Sequence, residues 1–220
     1  MKKLCITMLS VFMGLTLIAQ ETTEKEKKSF ISFQLGPSIP IGDFVSTDLV
    51  ANDQAGFALT GITLDLNYLY SITENVGLAA SGFYNMNSLD ISKLREVTGE
   101  PTLKMDHWQF IGLVVGPAFS FEMSPKAMAD IKVMGGIATA NSPDVTTNGS
   151  PLVPEDWGGS GVFQAGIGCR VNLGSKTYFS GGIDYRYLRP TFKVKYDTSA
   201  EEVRQNMSVL NISIGLGFKF

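Results

Sequence analysis

The sequence predicts an all-β chain folded as an eight-stranded antiparallel up-and-down transmembrane β-barrel. Three observations carry that expectation. The first is the stretch Met207 to Phe220. It sets Leu210, Ile212, Ile214, Leu216, Phe218 and Phe220 on one face and Val209, Asn211, Ser213, Gly215, Gly217 and Lys219 on the other. Such period-2 alternation marks a strand with one apolar face. A soluble strand usually runs about 5–6 residues, whereas this one is long enough to cross a bilayer when tilted. Its second face is too polar and too glycine-rich to pack on another core, so lipid must meet one face and a lumen the other. The second observation is that short and long connectors alternate along the chain. The third is an export signature at the N-terminus.

That signature comes first in chain order. Met1-Lys2-Lys3 is basic, Leu4 to Ile18 is apolar and uncharged, and Ala19 follows. Residues 1–19 therefore read as a secretory signal peptide cut after Ala19. Residues 20–28, rich in Glu and Lys, read as a short periplasmic tail. Residues 29–220 form the barrel domain. Cys5 lies in the signal, which leaves Cys169 as the one cysteine of the mature chain and excludes an internal disulfide.

Composition narrows the classes further. The net charge is −3 and no basic block occurs, which argues against nucleic acid as a partner. Twenty-three glycines, fourteen Phe and seven Tyr favour strands and turns. No apolar run of helix-spanning length follows the signal, so membrane residence requires a closed barrel, which satisfies its own backbone in lipid.

Eight alternating segments follow. The first is Ser29 to Ser38, with Ile31, Phe33 and Leu35 on one face. The second, Gly56 to Tyr70, directs Ile62, Leu64, Leu66, Tyr68 and Tyr70 outward and Thr63, Asp65 and Asn67 inward. The third is Val76 to Met86, with Ala79, Ser81 and Asn85 inward. The fourth, Trp108 to Phe121, aligns Ile111, Leu113, Val115, Phe119 and Phe121, but Phe110 falls on the wrong side; a bulge near Phe110 or Ile111 would repair the pattern. The fifth is Asp130 to Ala140. The sixth, Gly161 to Leu173, turns Gln164, Gly166, Gly168, Arg170 and Asn172 inward. The seventh, Thr177 to Leu188, turns Ser180, Gly182, Asp184 and Arg186 inward, and the eighth is the stretch from Met207. Long connectors fall at 39–55, 87–107, 141–160 and 189–206, all at one end, as short periplasmic turns and long outer loops require. Aromatic girdles are expected from Tyr68, Tyr70, Phe119, Phe121, Phe179, Phe218 and Phe220 at the periplasmic end, and from Tyr84, Trp108, Tyr185 and Tyr187 at the outer end.

The expected lumen carries Asp65, Lys132, Arg170, Asp184, Arg186 and Lys219. Both signs are present, and isolated charges there would be costly, so a paired network that holds the barrel together is expected. Catalysis has little to work with. His107 is the single histidine; Ser81 or Ser88 and Asp106 would have to complete a hydrolytic set, yet Asp106 and His107 are adjacent and point to opposite faces of a strand. No zinc spacing occurs. Asp43, Asp48, Asp53, Asp144, Glu155 and Asp156 lie in outer loops without calcium-loop spacing and read as solvated acids. No cofactor, metal or catalytic residue is expected.

Ser213, Gly215, Phe218 and Phe220 fit the pattern polar-x-Gly-x-x-apolar-x-aromatic. It resembles the C-terminal insertion signal of outer-membrane β-barrels of Gram-negative bacteria. With it, the chain resembles small outer-membrane barrel proteins, with the architecture of the OmpA transmembrane domain and nearest to the PorT family. The resemblance implies residence in outer-membrane lipid. It also implies transit on periplasmic chaperones and insertion by the barrel-assembly machinery. PorT proteins are linked to secretion, but no residue here matches that role. The expected function is a structural, adhesive or surface-interaction barrel, with a plugged lumen and long loops that meet an extracellular ligand. The alternatives are a narrow solute or lipid conduit, or a secretion-associated barrel, and after them an outer-membrane lipid hydrolase.

Overall fold

The computed structural model describes residues 29–49, 54–148, 150–153, 155–196 and 199–220. The expected signal and tail, 1–28, and Asp53 lie outside the described residues. The chain runs β1 (Ser29–Ile41), a 3₁₀ turn (Gly42–Phe44), β2 (Gly61–Ser71) and β3 (Val76–Asn87). Helix α1 (Ile91–Thr98), β4 (Lys104–Met105), β5 (Trp108–Ser124) and β6 (Ala127–Ser142) follow. Then come β7 (Val145–Thr147), β8 (Ser150–Val153), β9 (Asp156–Asn172), β10 (Thr177–Leu188), β11 (Thr191–Tyr196), β12 (Ser199–Arg204) and β13 (Met207–Lys219).

Eight of these strands close a barrel in the order β1-β13-β10-β9-β6-β5-β3-β2. Each neighbour is antiparallel and, β1–β13 apart, adjacent in sequence among the barrel strands, as up-and-down connectivity demands. The seam joins the first and last strands: Ser29 N donates to Phe220 O at 3.1 Å and Phe220 N to Ser29 O at 3.0 Å. No edge remains unpaired around the ring, which is what lets a sheet stand in lipid.

Alternation sorts the two faces. Phe33, Leu35, Ile111, Leu113, Ile167, Ile212, Ile214 and Leu216 are exposed on the outer wall. Ser32, Gln34, Thr63, Asp65, Ser81, Asn85, Asp184, Arg186, Asn211 and Ser213 are buried on the inner wall. An apolar exterior around a polar interior inverts the soluble arrangement and fits a membrane barrel.

Several expectations about the elements change. No bulge interrupts β5 at Phe110 or Ile111; the register with β3 runs unbroken from Val76↔Phe119 to Asn87↔Trp108. The one irregularity on β5 lies near its far end, between Glu122 and Ser124. Phe110 obeys strict alternation and points inward, fully buried. Trp108 therefore points inward as well, 7% exposed, and is not part of an outer aromatic girdle. The second strand begins at Gly61 rather than Gly56, the fifth at Ala127 rather than Asp130, and the sixth at Asp156 rather than Gly161. Three of the long connectors, 87–107, 141–160 and 189–206, carry secondary structure of their own. Asp90 caps α1 by accepting from Lys93 N at 3.0 Å, and Gly99 ends it at φ 71. Strands β4, β7 and β8 form one small sheet above the barrel, and β11 and β12 form a hairpin.

Candidate functional site

The interior of the barrel is the place where side chains from distant segments converge. Its centre is Arg186, fully buried on β10. Nη2 donates to Asp65 Oδ1 on β2 at 2.6 Å and Nε to Gln164 Oε1 on β9 at 3.0 Å; Nη1 donates to Asn85 Oδ1 on β3. The guanidinium also lies over Phe83, 3.8 Å from the ring centroid. Charge, hydrogen bonds and the aromatic face together offset the desolvation of a buried cation. Asp65 accepts a second bond from Thr63 Oγ1 at 3.0 Å. Asn85 Nδ2 passes the network on to Ser38 Oγ at 2.9 Å and Asn211 Oδ1 at 2.8 Å. Ser38 Oγ donates to Asn87 Oδ1 at 3.1 Å, and Asn87 Nδ2 ends on the Leu59 carbonyl at 3.0 Å. Six barrel strands thus meet in one set of polar contacts.

A second pair lies nearer the termini. Arg170 grips Asp130 bidentately, Nε to Oδ2 at 2.6 Å and Nη2 to Oδ1 at 2.7 Å. Ser120 Oγ donates to Asp130 Oδ1 at 2.6 Å, and the guanidinium lies 4.2 Å from the Phe30 centroid. Lys132 faces Asp184 at 3.7 Å, an ion pair too long for a hydrogen bond. Lys219 stands at the terminal mouth and donates to Asn172 Oδ1 at 3.0 Å. A cavity of about 40 Å³ lies beside these groups, lined in part by Gln34, Asn67, Asp130, Lys132 and Arg170. That is room for water, and the lining mixes these polar groups with Phe30, Leu69, Ala79 and Tyr178.

The loop end of the interior is filled differently. Phe44, Phe110, Leu188, Met207 and Val209 are each 0% exposed. Phe44 reaches back into the barrel from the 3₁₀ turn and packs edge-on against Trp108, 5.8 Å between centroids, and against Phe110 at 6.4 Å. Trp108 Nε1 donates to the Gly56 carbonyl at 2.9 Å, and Phe192 of β11 packs against the indole at 6.1 Å. The rings pack together inside the loop end of the barrel with their one polar group satisfied.

Sequence reasoning placed Asp65, Lys132, Arg170, Asp184 and Arg186 on the inner face but missed Asp130, Asn85 and Gln164 as their partners. Asp130 shares the parity of Lys132 and was open to the same argument. The inward apolar residues gave no comparable signal. In the insertion motif, Ser213 Oγ donates to Gln34 Oε1 at 2.9 Å. A methyl on Gly215 would run into the Phe33 carbonyl of β1, so the seam needs glycine there. Phe218 and Phe220 stand on the outer wall, 59% and 52% exposed.

The remaining candidates stay apart. His107 and Asp106 are exposed in the loop, while Ser81 is buried in the lumen. Among the described residues, no hydrogen bond joins His107 to Ser81, Ser88 or Asp106, and no cluster of three or more His, Cys, Asp or Glu side chains suits a metal. The loop acids instead hold chain segments together: Asp43 accepts from Asn206 Nδ2 at 2.8 Å, Asp144 from Glu155 N at 2.7 Å, and Asp156 from Lys193 N at 2.7 Å. On α1, the hydrogen bond and the charge of Glu96, 2.8 Å away, raise the Lys93 pKa above its ordinary value.

A family model described as outer membrane protein beta-barrel domain matches residues 10–220. No curated protein matches the chain. Among solved structures, neisserial surface protein A aligns at TM-score 0.55 and 12% identity, over 87% of this chain and 97% of that one. OprG from Pseudomonas aeruginosa aligns at 0.53 and 14%, over 89% and 97%. Ail, the attachment invasion locus protein of Yersinia pestis, aligns at 0.50 and 15%, over 89% and 100%. At such identities the likeness is one of fold.

Proposed function

Because the chain belongs to the outer membrane protein beta-barrel domain family, we propose that it is a closed barrel that acts through its outer loops, a structural and surface-interaction protein rather than a pore or an enzyme. The observation that carries this reading is the full burial of Arg186, Phe110, Leu188, Met207 and Val209 inside the ring. A lumen packed to that degree leaves no path for a hydrated solute, while the loops are folded into a helix, a small sheet and a hairpin. Residues 1–19 act as the cleaved signal, and Ser213, Gly215, Phe218 and Phe220 as the motif read by the assembly machinery. An extracellular ligand meets the loops, and outer-membrane lipid meets the wall. Single-channel recording of the refolded protein in planar bilayers tests the closure. No conductance steps are expected; a steady ohmic conductance would overturn it.

The water-sized cavity beside Lys132 favours a second reading, a narrow conduit, and the same recording separates the two. A secretion-associated role has no residue that supports it. A lipid hydrolase would need His107, and His107→Ala is expected to leave a lipid-hydrolysis assay at its wild-type baseline.

A further inference from the structure

Above the barrel, the first three outer loops enclose a second cavity, and its chemistry is the opposite of the lumen's. Its volume is about 280 Å³. Its lining includes Phe57, Leu89, Leu94, Leu103, Met105 and Trp108, drawn from both sides of α1, from β4 and from the start of β5. The floor is fixed. Phe57, Leu89, Leu103 and Trp108 are all buried, and the indole is held by its bond to Gly56 O at 2.9 Å and by the edge of Phe44. The mouth is open, with Leu49 42% exposed at its rim.

The described side-chain hydrogen-bonding groups that face this space already have partners. Thr98 Oγ1, the one polar side chain of the lining apart from the indole, donates to Leu94 O at 2.8 Å. Arg95 Nε, beside it on α1, donates to Leu103 O at 2.9 Å. An occupant would therefore find no side-chain partner for a polar group, and any such group would lose its bonds to water unrepaid. An apolar occupant loses nothing there and removes its own surface and that of the lining from water. The volume exceeds the roughly 150 Å³ at which a dry apolar cavity in another protein takes up benzene. A preformed apolar pocket of this size is a ligand site in physical terms.

We infer that the cavity between the outer loops binds a single alkyl chain, either a free apolar molecule or the tail of a membrane lipid. The inference does not rest on the lumen being closed, so a conductance result leaves it standing. It accounts for a cluster of leucines gathered in loops where solvent-facing residues would otherwise be expected.

Trp108 forms part of the floor and reports occupancy. The chain has two tryptophans, Trp108 and Trp157, so Trp157→Phe isolates its fluorescence. The protein is refolded in phosphatidylcholine vesicles and titrated with a medium-chain bromoalkanol, whose bromine quenches indole on contact. The expected result is saturable quenching of Trp108. Ala55→Phe, which fills the pocket from its wall, is expected to weaken it at least tenfold, while bulk partition of the alkanol into lipid is unchanged. Leu49→Arg at the exposed rim gives the same test without touching the packed floor, should Ala55→Phe fail to show the gel shift of a folded barrel. A parallel sample uses vesicles with brominated acyl chains and no alkanol. Quenching there identifies a lipid tail as the occupant; quenching by the alkanol alone identifies a free molecule. Quenching in neither, or quenching that rises linearly and ignores both substitutions, overturns the site.

Discussion

Around Arg186 and Arg170 the lumen is filled with guanidinium, carboxylate and amide groups; a short way toward the loops it is filled with Phe44, Trp108, Phe110, Leu188, Met207 and Val209. Both regions are filled by side chains, but of different kinds. In the polar region Arg186 and Arg170 each depend on partners from other strands, so the packing there is specific and fragile. In the apolar region shape alone matters, and a neighbour can relax into a lost volume. The comparison teaches that a barrel interior need not be filled by one kind of group, and that its two parts should fail differently.

The largest difference is expected at Arg186. Arg186→Ala leaves Asp65 buried without its cation, and breaking a buried pair in this way costs about 3–5 kcal/mol. Urea unfolding in lipid vesicles reads the loss. The double substitution Asp65→Ala with Arg186→Met should recover much of it, because no charge is then left stranded. A wild-type midpoint for Arg186→Ala would remove the polar half of the comparison.

Leu188→Ala probes the other half. It should cost about 2–5 kcal/mol, set by how far the cavity collapses. No second substitution at a partner should rescue it by removing a charge, and that lack of rescue separates the two regions more sharply than the size of either loss.

The two halves also differ in how plainly the sequence announces them. The ring of strands was legible because alternation, connector length and the terminal Phe220 all depend on the membrane. Asp184 and Arg186 could be assigned inward because a charge on a lipid-crossing strand has only one tolerable face. Inward Phe110 and Trp108 could not, since an aromatic residue suits either face, and the pattern invited a bulge near Phe110 where the register runs unbroken. Phe44 was hidden for another reason: it enters from a turn, outside any periodic segment. Helix α1 did leave a trace, Asp90 before it and Gly99 after it, inside a segment otherwise assigned wholly to loop. The pairing of Arg170 with Asp130 and of Arg186 with Asp65 needed the strand order and stagger, which one sequence does not state.

Parity underlies the whole comparison and has its own test on β13. Ile214 is 59% exposed on the outer wall, and Ser213 is 1% exposed on the inner one. Arg on the lipid face near the midplane costs about 2–4 kcal/mol, so Ile214→Arg should sharply lower the folding yield in vesicles. Ser213→Arg should be milder where the lumen supplies Asp184 and Asp65 as acceptors. Should Ser213→Arg prove the more damaging, inside and outside have been exchanged, because a one-residue shift inverts every side chain.

The smallest effect is expected at Lys132, and it refines the polar region from within. Arg170 and Arg186 hold their carboxylates at 2.6 Å, whereas Lys132 stands 3.7 Å from Asp184. Lys132 also lines the cavity of about 40 Å³. At that separation the pair shares no hydrogen bond, so removing Lys132 breaks less than removing Arg186, although it leaves Asp184 buried. Lys132→Met is therefore expected to lower the urea midpoint by clearly less than Arg186→Ala measured alongside. Raised salt should narrow the loss for Lys132→Met and leave the loss at Arg186→Ala unchanged, since screening reaches hydrated pairs and not dry ones. If Lys132→Met costs as much as Arg186→Ala, the space beside it is dry. The polar region is then one tight network rather than a dry centre with a wet flank toward the termini.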